Sequence, residues 1–301
     1  MNRFRVILLM IAVFPLSGCL FRTRKIERQV STAPLKTATQ QELIAYLDTQ
    51  AEKLRSMQAT VDIDTSVGDE QKGKITDYKQ IRGYVLARKP SMLRMIGLYP
   101  IVRNTAFDMV SNGSDFKLWI PAKNKFVIGH NDIVKPNAKQ RLENVRPQHI
   151  YDALLLPPID PEKEIAVREN DYETVLDAKG RRVDQPDYEV NVIRKGDSGW
   201  YLARKISFSR TDLLPRRQRV YDEQGQVATD ARYEGYTNYD GIQFPSRIEI
   251  ERPQEGYYIT LTMVKLELNK DLTDQQFALQ QPPGAEILNL DKQPAQSAIS
   301  Q

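Results

Sequence analysis

Leu54-Arg55-Ser56-Met57-Gln58-Ala59-Thr60-Val61-Asp62-Ile63-Asp64 is the stretch at which the spacing of apolar residues changes. Before it, Leu43, Ile44, Leu47, Ala51 and Leu54 recur every three or four residues, opposite Glu42, Asp48, Glu52 and Lys53. That spacing predicts an amphipathic helix over residues 41–55, capped by Thr39 or Gln40, with one face to bury. After Met57 the period is two, with Val61 and Ile63 alternating with Thr60, Asp62 and Asp64. A period of two puts alternate side chains on opposite faces of a strand.

The same period continues almost to the C-terminus. It predicts strands over 75–88, 92–98, 105–111, 115–120 and 125–128, joined by hairpin-like turns, of which Asn112-Gly113 is the clearest and Pro121-Ala122-Lys123-Asn124 the next. Residues 131–158 break the pattern, and His149 to Leu156, begun near Pro147 and stopped by Pro157-Pro158, reads as a second, short helix. Strands resume over 164–176, 188–194, 200–210, 215–222, 228–236, 244–251 and 257–268, separated by turns such as Lys195-Gly196-Asp197-Ser198-Gly199 and Asn238-Tyr239-Asp240-Gly241. The expected fold is mainly β (α+β): a curled antiparallel sheet of about twelve strands, with helices over its concave apolar face. Two short helices cannot fill such a curl, so an internal groove is expected.

Charged residues mark which face looks outward. Arg94 outside turns Leu93 and Met95 in; Lys117 outside turns Phe116, Leu118 and Ile120 in; Lys125 outside turns Phe126 and Ile128 in, with Phe107 and Met109 joining them. These nine residues are the expected lining of a ligand cavity. Between two of the strands lies Leu98-Tyr99-Pro100-Ile101-Val102, apolar where a hairpin loop is ordinarily polar. Leu98, Tyr99 and Ile101 either dip into a bilayer or pass cargo, or the loop folds back to close the end of the sheet.

The N-terminus states where the chain works. Arg3 and Arg5 precede an apolar run from Val6 to Phe14, and Leu16-Ser17-Gly18-Cys19 follows, holding the single cysteine. This resembles a bacterial lipobox, the other reading being an ordinary signal peptide with an incidental cysteine: cleavage before Cys19 is expected to remove residues 1–18 as a signal peptide and leave Cys19 carrying acyl chains. The run is too short to span hydrocarbon. Residues 19–39 then form an acylated tether, 40–290 a single domain and 291–301 a disordered tail. Arg22, Arg24, Lys25 and Arg28 follow the anchor, either on anionic headgroups or as a solvated linker.

Composition narrows the function. The chain is 41% hydrophobic, enough for a core, and its formal charge of +4 falls to about +2 once Arg3 and Arg5 leave with the signal. No clustered basic face of the kind nucleic acid requires is present in the sequence. The two histidines, His130 and His149, have no partner at metal-ligand spacing and read as surface or helix-start residues. Asp197-Ser198-Gly199 reads as a turn, Asp62 and Asp64 as solvated carboxylates on an outer face. Strand propensity accounts for most of the tyrosines Tyr233, Tyr236, Tyr239, Tyr257 and Tyr258, a binding rim being the other reading. No enzyme and no cofactor are expected.

The order lipobox, linker, helix and strand pair, then Met92-Leu93-Arg94-Met95-Ile96-Gly97 and Phe107-Asp108-Met109-Val110-Ser111-Asn112-Gly113, resembles the LolA/LolB-type lipoprotein-carrier fold. Phe277-Ala278-Leu279 and Pro283-Gly284-Ala285-Glu286-Ile287 are similar to that family's closing segment. The resemblance implies a half-barrel plugged by helices, with an apolar cavity for lipid or lipoprotein acyl chains, and Cys19 brings it nearer the anchored acceptor branch, which carries an apolar protruding loop where Leu98 to Val102 stand. It implies a membrane-anchored carrier or acceptor in the cell envelope, on the periplasmic face of the outer membrane, since Leu20 is not the aspartate of inner-membrane retention. The alternative is an envelope sensory or assembly lipoprotein that uses the same scaffold to bind a protein partner. Replacing Cys19 by Ala is expected to abolish incorporation of labelled palmitate into the expressed chain, which metabolic labelling reads directly.

Overall fold

The computed structural model describes residues 29–69, 74–131, 145–177 and 179–292. Cys19, the signal peptide, the first part of the tether and residues 293–301 lie outside the described residues. The first helix is α1 (Gln40–Lys53). Thr39 caps it: its hydroxyl accepts from the Glu42 amide, and the Glu42 carboxylate accepts from the Thr39 amide at 2.7 Å. The second, α2 (Pro147–Leu154), begins on a proline, whose missing N–H costs nothing in a first turn. Among the described residues no helix is long and apolar enough to cross a membrane.

The strands are β1 (Ser56–Asp69), β2 (Lys74–Asp77), β3 (Ile81–Arg88), β4 (Met92–Leu98), β5 (Thr105–Ser111), β6 (Asp115–Ile120), β7 (Lys125–His130), β8 (Glu164–Leu176), β9 (Arg182–Gly196), β10 (Gly199–Ser209), β11 (Pro215–Tyr221), β12 (Val227–Tyr239), β13 (Ile242–Arg252), β14 (Tyr257–Leu268) and β15 (Glu286–Asn289). All fifteen belong to one open sheet in the order β15-β7-β6-β5-β4-β3-β1-β14-β13-β12-β11-β10-β9-β8, with β2 also on β1. This corrects the expectation of about twelve antiparallel strands. The expected strand over 75–88 is broken at Tyr78–Gln80, and β15 adds a parallel pair at the edge, with Ile287 beside Phe126.

The chain divides into two compact units. The smaller joins residues 29–32 to 173–185, where Val30 bridges Asp184 in parallel and the Ser31 amide donates to the Asp184 carbonyl at 2.9 Å. The larger, 33–172 with 186–292 among the described residues, holds both helices and the core.

Register puts apolar side chains on one face of the larger unit. Met57, Ala59, Val61 and Ile63 pair with Ala87, Val85, Gly83 and Ile81, and Val85 and Ala87 pair onward with Met95 and Leu93. Two buried clusters sit on that inner face. One holds these residues with Met109, Leu118, Ile248, Ile250 and Leu261, together with Ile150, Tyr151, Ala153 and Leu154 of α2. The other holds Leu43 and Leu47 of α1 against Tyr188, Val190, Val192, Ile206 and Phe208. The opposite face of β9 to β13 is charged: Glu189 meets Lys205 at 2.6 Å and Arg219 at 2.5 Å, and Arg247 meets Glu249 at 2.6 Å.

Gly83 and Gly97 stand opposite each other on β3 and β4. A Cβ on Gly97 would lie 2.4 Å from the Phe107 ring and 2.7 Å from Ile81 Cδ1, and one on Gly83 2.5 Å from Ile63 Cδ1. The missing side chains are therefore filled by neighbours. Gly97→Ala raises β-propensity yet is expected to destabilise by roughly 1–3 kcal/mol through overpacking, measured by urea unfolding.

Candidate functional site

The inner face brings together seven of the nine residues expected to line a cavity. Leu93, Met95, Met109, Phe116 and Leu118 are buried in the larger cluster, and Phe107 and Ile120 pack half-buried against it. Phe126 and Ile128 fall on the other face. Val127 pairs with Leu118 and enters the cluster, while Phe126 pairs with Trp119 and Ile128 with the exposed Lys117. The outward reading of Lys125 caused the slip: Lys125 pairs with Ile120 and shares the inner face, at a strand end where a long side chain reaches solvent.

None of the nine lines the gap between the helices; Phe116 borders a separate opening of about 220 Å³ with Met92, Val110, Lys117 and Phe277. Where α1, α2 and β12–β13 meet, the gap has walls from Leu47, Leu154, Ile242 and Phe244, with Tyr46, Gln50, Tyr233 and Tyr236 among them. Its volume is about 50 Å³, room for one or two water molecules and not for an acyl chain. Gln50 Oε1 accepts from the Gln243 amide at 3.3 Å, and Lys89 donates to the Ala51 carbonyl, so α1 is tied to both rims.

Behind α2 the interior is polar. Arg204, buried, donates to the Pro157 and Pro158 carbonyls and to Glu164 Oε2, each at 3.0 Å, which fastens the segment after α2 to β10. Burial pushes the Asp152 carboxyl up to about 6, against the pull of its Gln148 hydrogen bond and of Arg204 and Arg194. Burial, then the positive charges of Arg252 and Arg146, pushes His149 down to about 3, so its imidazole is neutral. Arg252 in turn is paired with Glu255 at 2.6 Å and donates to Thr229 Oγ1 at 2.6 Å. None of these groups was marked by the sequence, because each is made special by burial among long-range partners. His130 is a surface residue, with Nδ1 2.7 Å from Asp291 Oδ2 and Nε2 3.2 Å from Asp115 Oδ1, and it fastens the chain after β15 to β7. Among the described residues no three metal-ligating side chains cluster.

The second candidate surface is the loop between β4 and β5. Ile101 is 98% exposed, Val102 64% and Tyr99 40%, while Leu98 is half-buried. The loop closes on itself, the Tyr99 amide donating to the Asn104 carbonyl at 2.8 Å and the Arg103 amide to the Tyr99 carbonyl at 3.1 Å. Ile101 holds φ at 70°, a left-handed conformation that a β-branched residue rarely adopts. The loop does not fold back over the sheet; it presents its apolar tip to solvent.

A family model described only as an uncharacterized protein matches residues 165–281. No curated protein matches the sequence. Structural neighbours include a LolA superfamily protein from Nitrosomonas europaea, at 17% identity with a TM-score of 0.46, covering 81% of this chain and 99% of that one. A domain described as an outer membrane lipoprotein-sorting protein, from Vibrio parahaemolyticus, is 14% identical with a TM-score of 0.48, covering 78% and 94%. Both scores are too low to argue function from.

Asp152 and His149 titrate with opposite signs. A carboxyl raised to about 6 contributes stability below its unfolded value of 3.8 that is lost as pH rises to 6; an imidazole lowered to about 3 contributes stability above its unfolded 6.5 that is lost as pH falls to 3. Between about pH 4 and 6 the two slopes oppose each other. Asp152→Asn is therefore expected to expose the His149 slope, with stability rising by about 1.4 kcal/mol per pH unit over that window, and His149→Gln to expose the reverse. Urea midpoints from pH 4 to 7 would check both.

Proposed function

We propose that the chain is a membrane-anchored carrier or acceptor of the cell envelope, tethered through Cys19, that takes lipid or lipoprotein acyl chains against the inner face of its sheet. One observation carries this reading: the inner face of an open sheet bears two apolar clusters, and the one under α1 is covered by Leu43 and Leu47 beside a small unfilled gap. The helices act as plugs in this reading. An acyl chain gains about 0.8 kcal/mol per buried methylene, so it can exchange for α1 on the Tyr188–Phe208 cluster and extend towards Leu93, Met95 and Met109. Affinity follows partition, with no bond made or broken.

The exposed tip of Tyr99, Ile101 and Val102 is the surface that meets a bilayer or hands over cargo. The periplasmic face of the outer membrane is the location this reading favours. The alternative, an envelope lipoprotein that binds a protein partner through the same scaffold, is favoured by one feature, the nearly filled interior.

Solvent extraction of purified Cys19→Ala chain followed by mass spectrometry is expected to recover acyl lipid. A lipid-free chain that remains lipid-free after incubation with envelope vesicles would instead support the partner-binding alternative. Ile101→Asp combined with Val102→Asp is expected to leave the unfolding midpoint unchanged, because both residues are exposed, and to weaken binding of the unacylated chain to vesicles at least ~10-fold in a flotation assay.

A further inference from the structure

One polar group at the gap beside α1 is left over. Tyr233 lines the gap, is only 2% exposed, and its hydroxyl has no hydrogen-bond partner. Its place is fixed by register, since Tyr233 pairs with Ile248 and its ring belongs to the larger buried cluster. Native interiors seldom leave a buried hydroxyl unsatisfied, and the omission is costly wherever it occurs. On the same wall Gln50 Oε1 holds the Gln243 amide and Lys89 holds the Ala51 carbonyl, while Tyr46 and Tyr236 stand beside Tyr233. Tyr233 is therefore a spare donor at the wall of an apolar space.

The chemistry of that donor selects its ligand. Burial, reinforced by the charges of Asp152 and Asp230, pushes the phenol well above its ordinary range, so it stays protonated and neutral. A neutral donor beside carboxylates that would repel an anion suits an uncharged acceptor. A carboxylate or phosphate would lose far more solvation than one phenol returns. We infer that Tyr233 is the recognition point for the ester carbonyl at the head of an acyl chain, its hydroxyl donating to the carbonyl oxygen while the chain lies along the surface that α1 covers. This rests on the carrier reading above and adds to it a substrate class, the O-acyl ester, and the residue that reads it.

The test uses the full-length chain and two fluorescent probes of equal length, a pyrene-labelled alkyl ester and a pyrene-labelled alkane. The wild type is expected to hold the ester ~10-fold more tightly. Tyr233→Phe should bring the ester down to the level of the alkane, leave alkane binding unchanged, and keep or raise the thermal midpoint because an unsatisfied hydroxyl is gone. The infrared carbonyl stretch of bound ester should be lowered in the wild type and return to its apolar-solvent position in the variant. An ester preference that survives Tyr233→Phe, or its absence in the wild type while both probes bind, would overturn the assignment and leave the carrier reading standing. If neither probe binds the wild type, the carrier reading itself falls and takes the assignment with it.

Discussion

Alternation of side chains across a paired strand is the constraint on which the rest of the molecule depends. Once Val61 is paired with Gly83, and Gly83 with Gly97, alternate residues between the register shifts at Thr60/Val61 and Gly97/Leu98 are committed to one face, because a slip of one residue would turn the apolar set to solvent. The sheet is open, so that face cannot cover itself as a closed barrel does. Two helices and the loops beside them must meet it, and their fit decides whether the inner face is a core, a cavity or an exchange between the two. The glycine pair shows how tightly this is set: Ile63 and Phe107 occupy the room that side chains at Gly83 and Gly97 would need.

Much of the sheet was legible because period-two alternation is a local property. Strands β4, β5, β6, β8 and β14 begin and end where alternation and turn residues place them. Thr39 and Pro147 likewise announce their helices through capping chemistry that needs no distant partner. What failed was non-local. Lys125 was read as outward from its charge, but at a strand end its side chain can leave the inner face for solvent, so β7 was assigned the wrong parity. Strand β15 is four residues long and is defined by parallel pairing to β7 from across the sequence. Tyr233 was visible only as one of several strand tyrosines, since an orphaned hydroxyl is a property of what surrounds it.

The buried polar groups around α2 have a different logic from the apolar clusters. Arg204 joins two proline carbonyls to Glu164, which Arg194 also holds, and removing Glu164 would leave the buried Arg204 charge without its carboxylate. Such a latch adds little net stability but permits only one arrangement of the chain leaving α2. His149, kept neutral by burial, lets α2 sit deep without carrying a further cation beside Arg252 and Arg146. Helix α1 meets the sheet through Leu43, Leu47 and Ala51, with hydrogen bonds along its length: Gln40 to Ala166 and Arg168, Asp48 to Ile159, Gln50 to Gln243, Ala51 to Lys89 and Lys53 to Asn269. Both helices therefore combine an apolar face with polar ties at their margins, α2 through Tyr151 on the Pro90 carbonyl and the Arg204 latch that follows it.

The apolar face of α1 bears on selectivity. Burying Leu43 and Leu47 is worth on the order of 3–6 kcal/mol, which about four to eight methylenes of an acyl chain would match. Any chain of ordinary membrane length exceeds that, so on the carrier reading apolar exchange with α1 distinguishes acyl chains poorly from one another or from any other hydrocarbon. Discrimination must come from groups whose cost of mismatch is steep. In a water-poor space that means a hydrogen bond made or missed, which outweighs a methylene gained or lost. A carrier built on this sheet would read its cargo at the polar head, at whatever donors the interior leaves unsatisfied, and treat the hydrocarbon behind it as interchangeable.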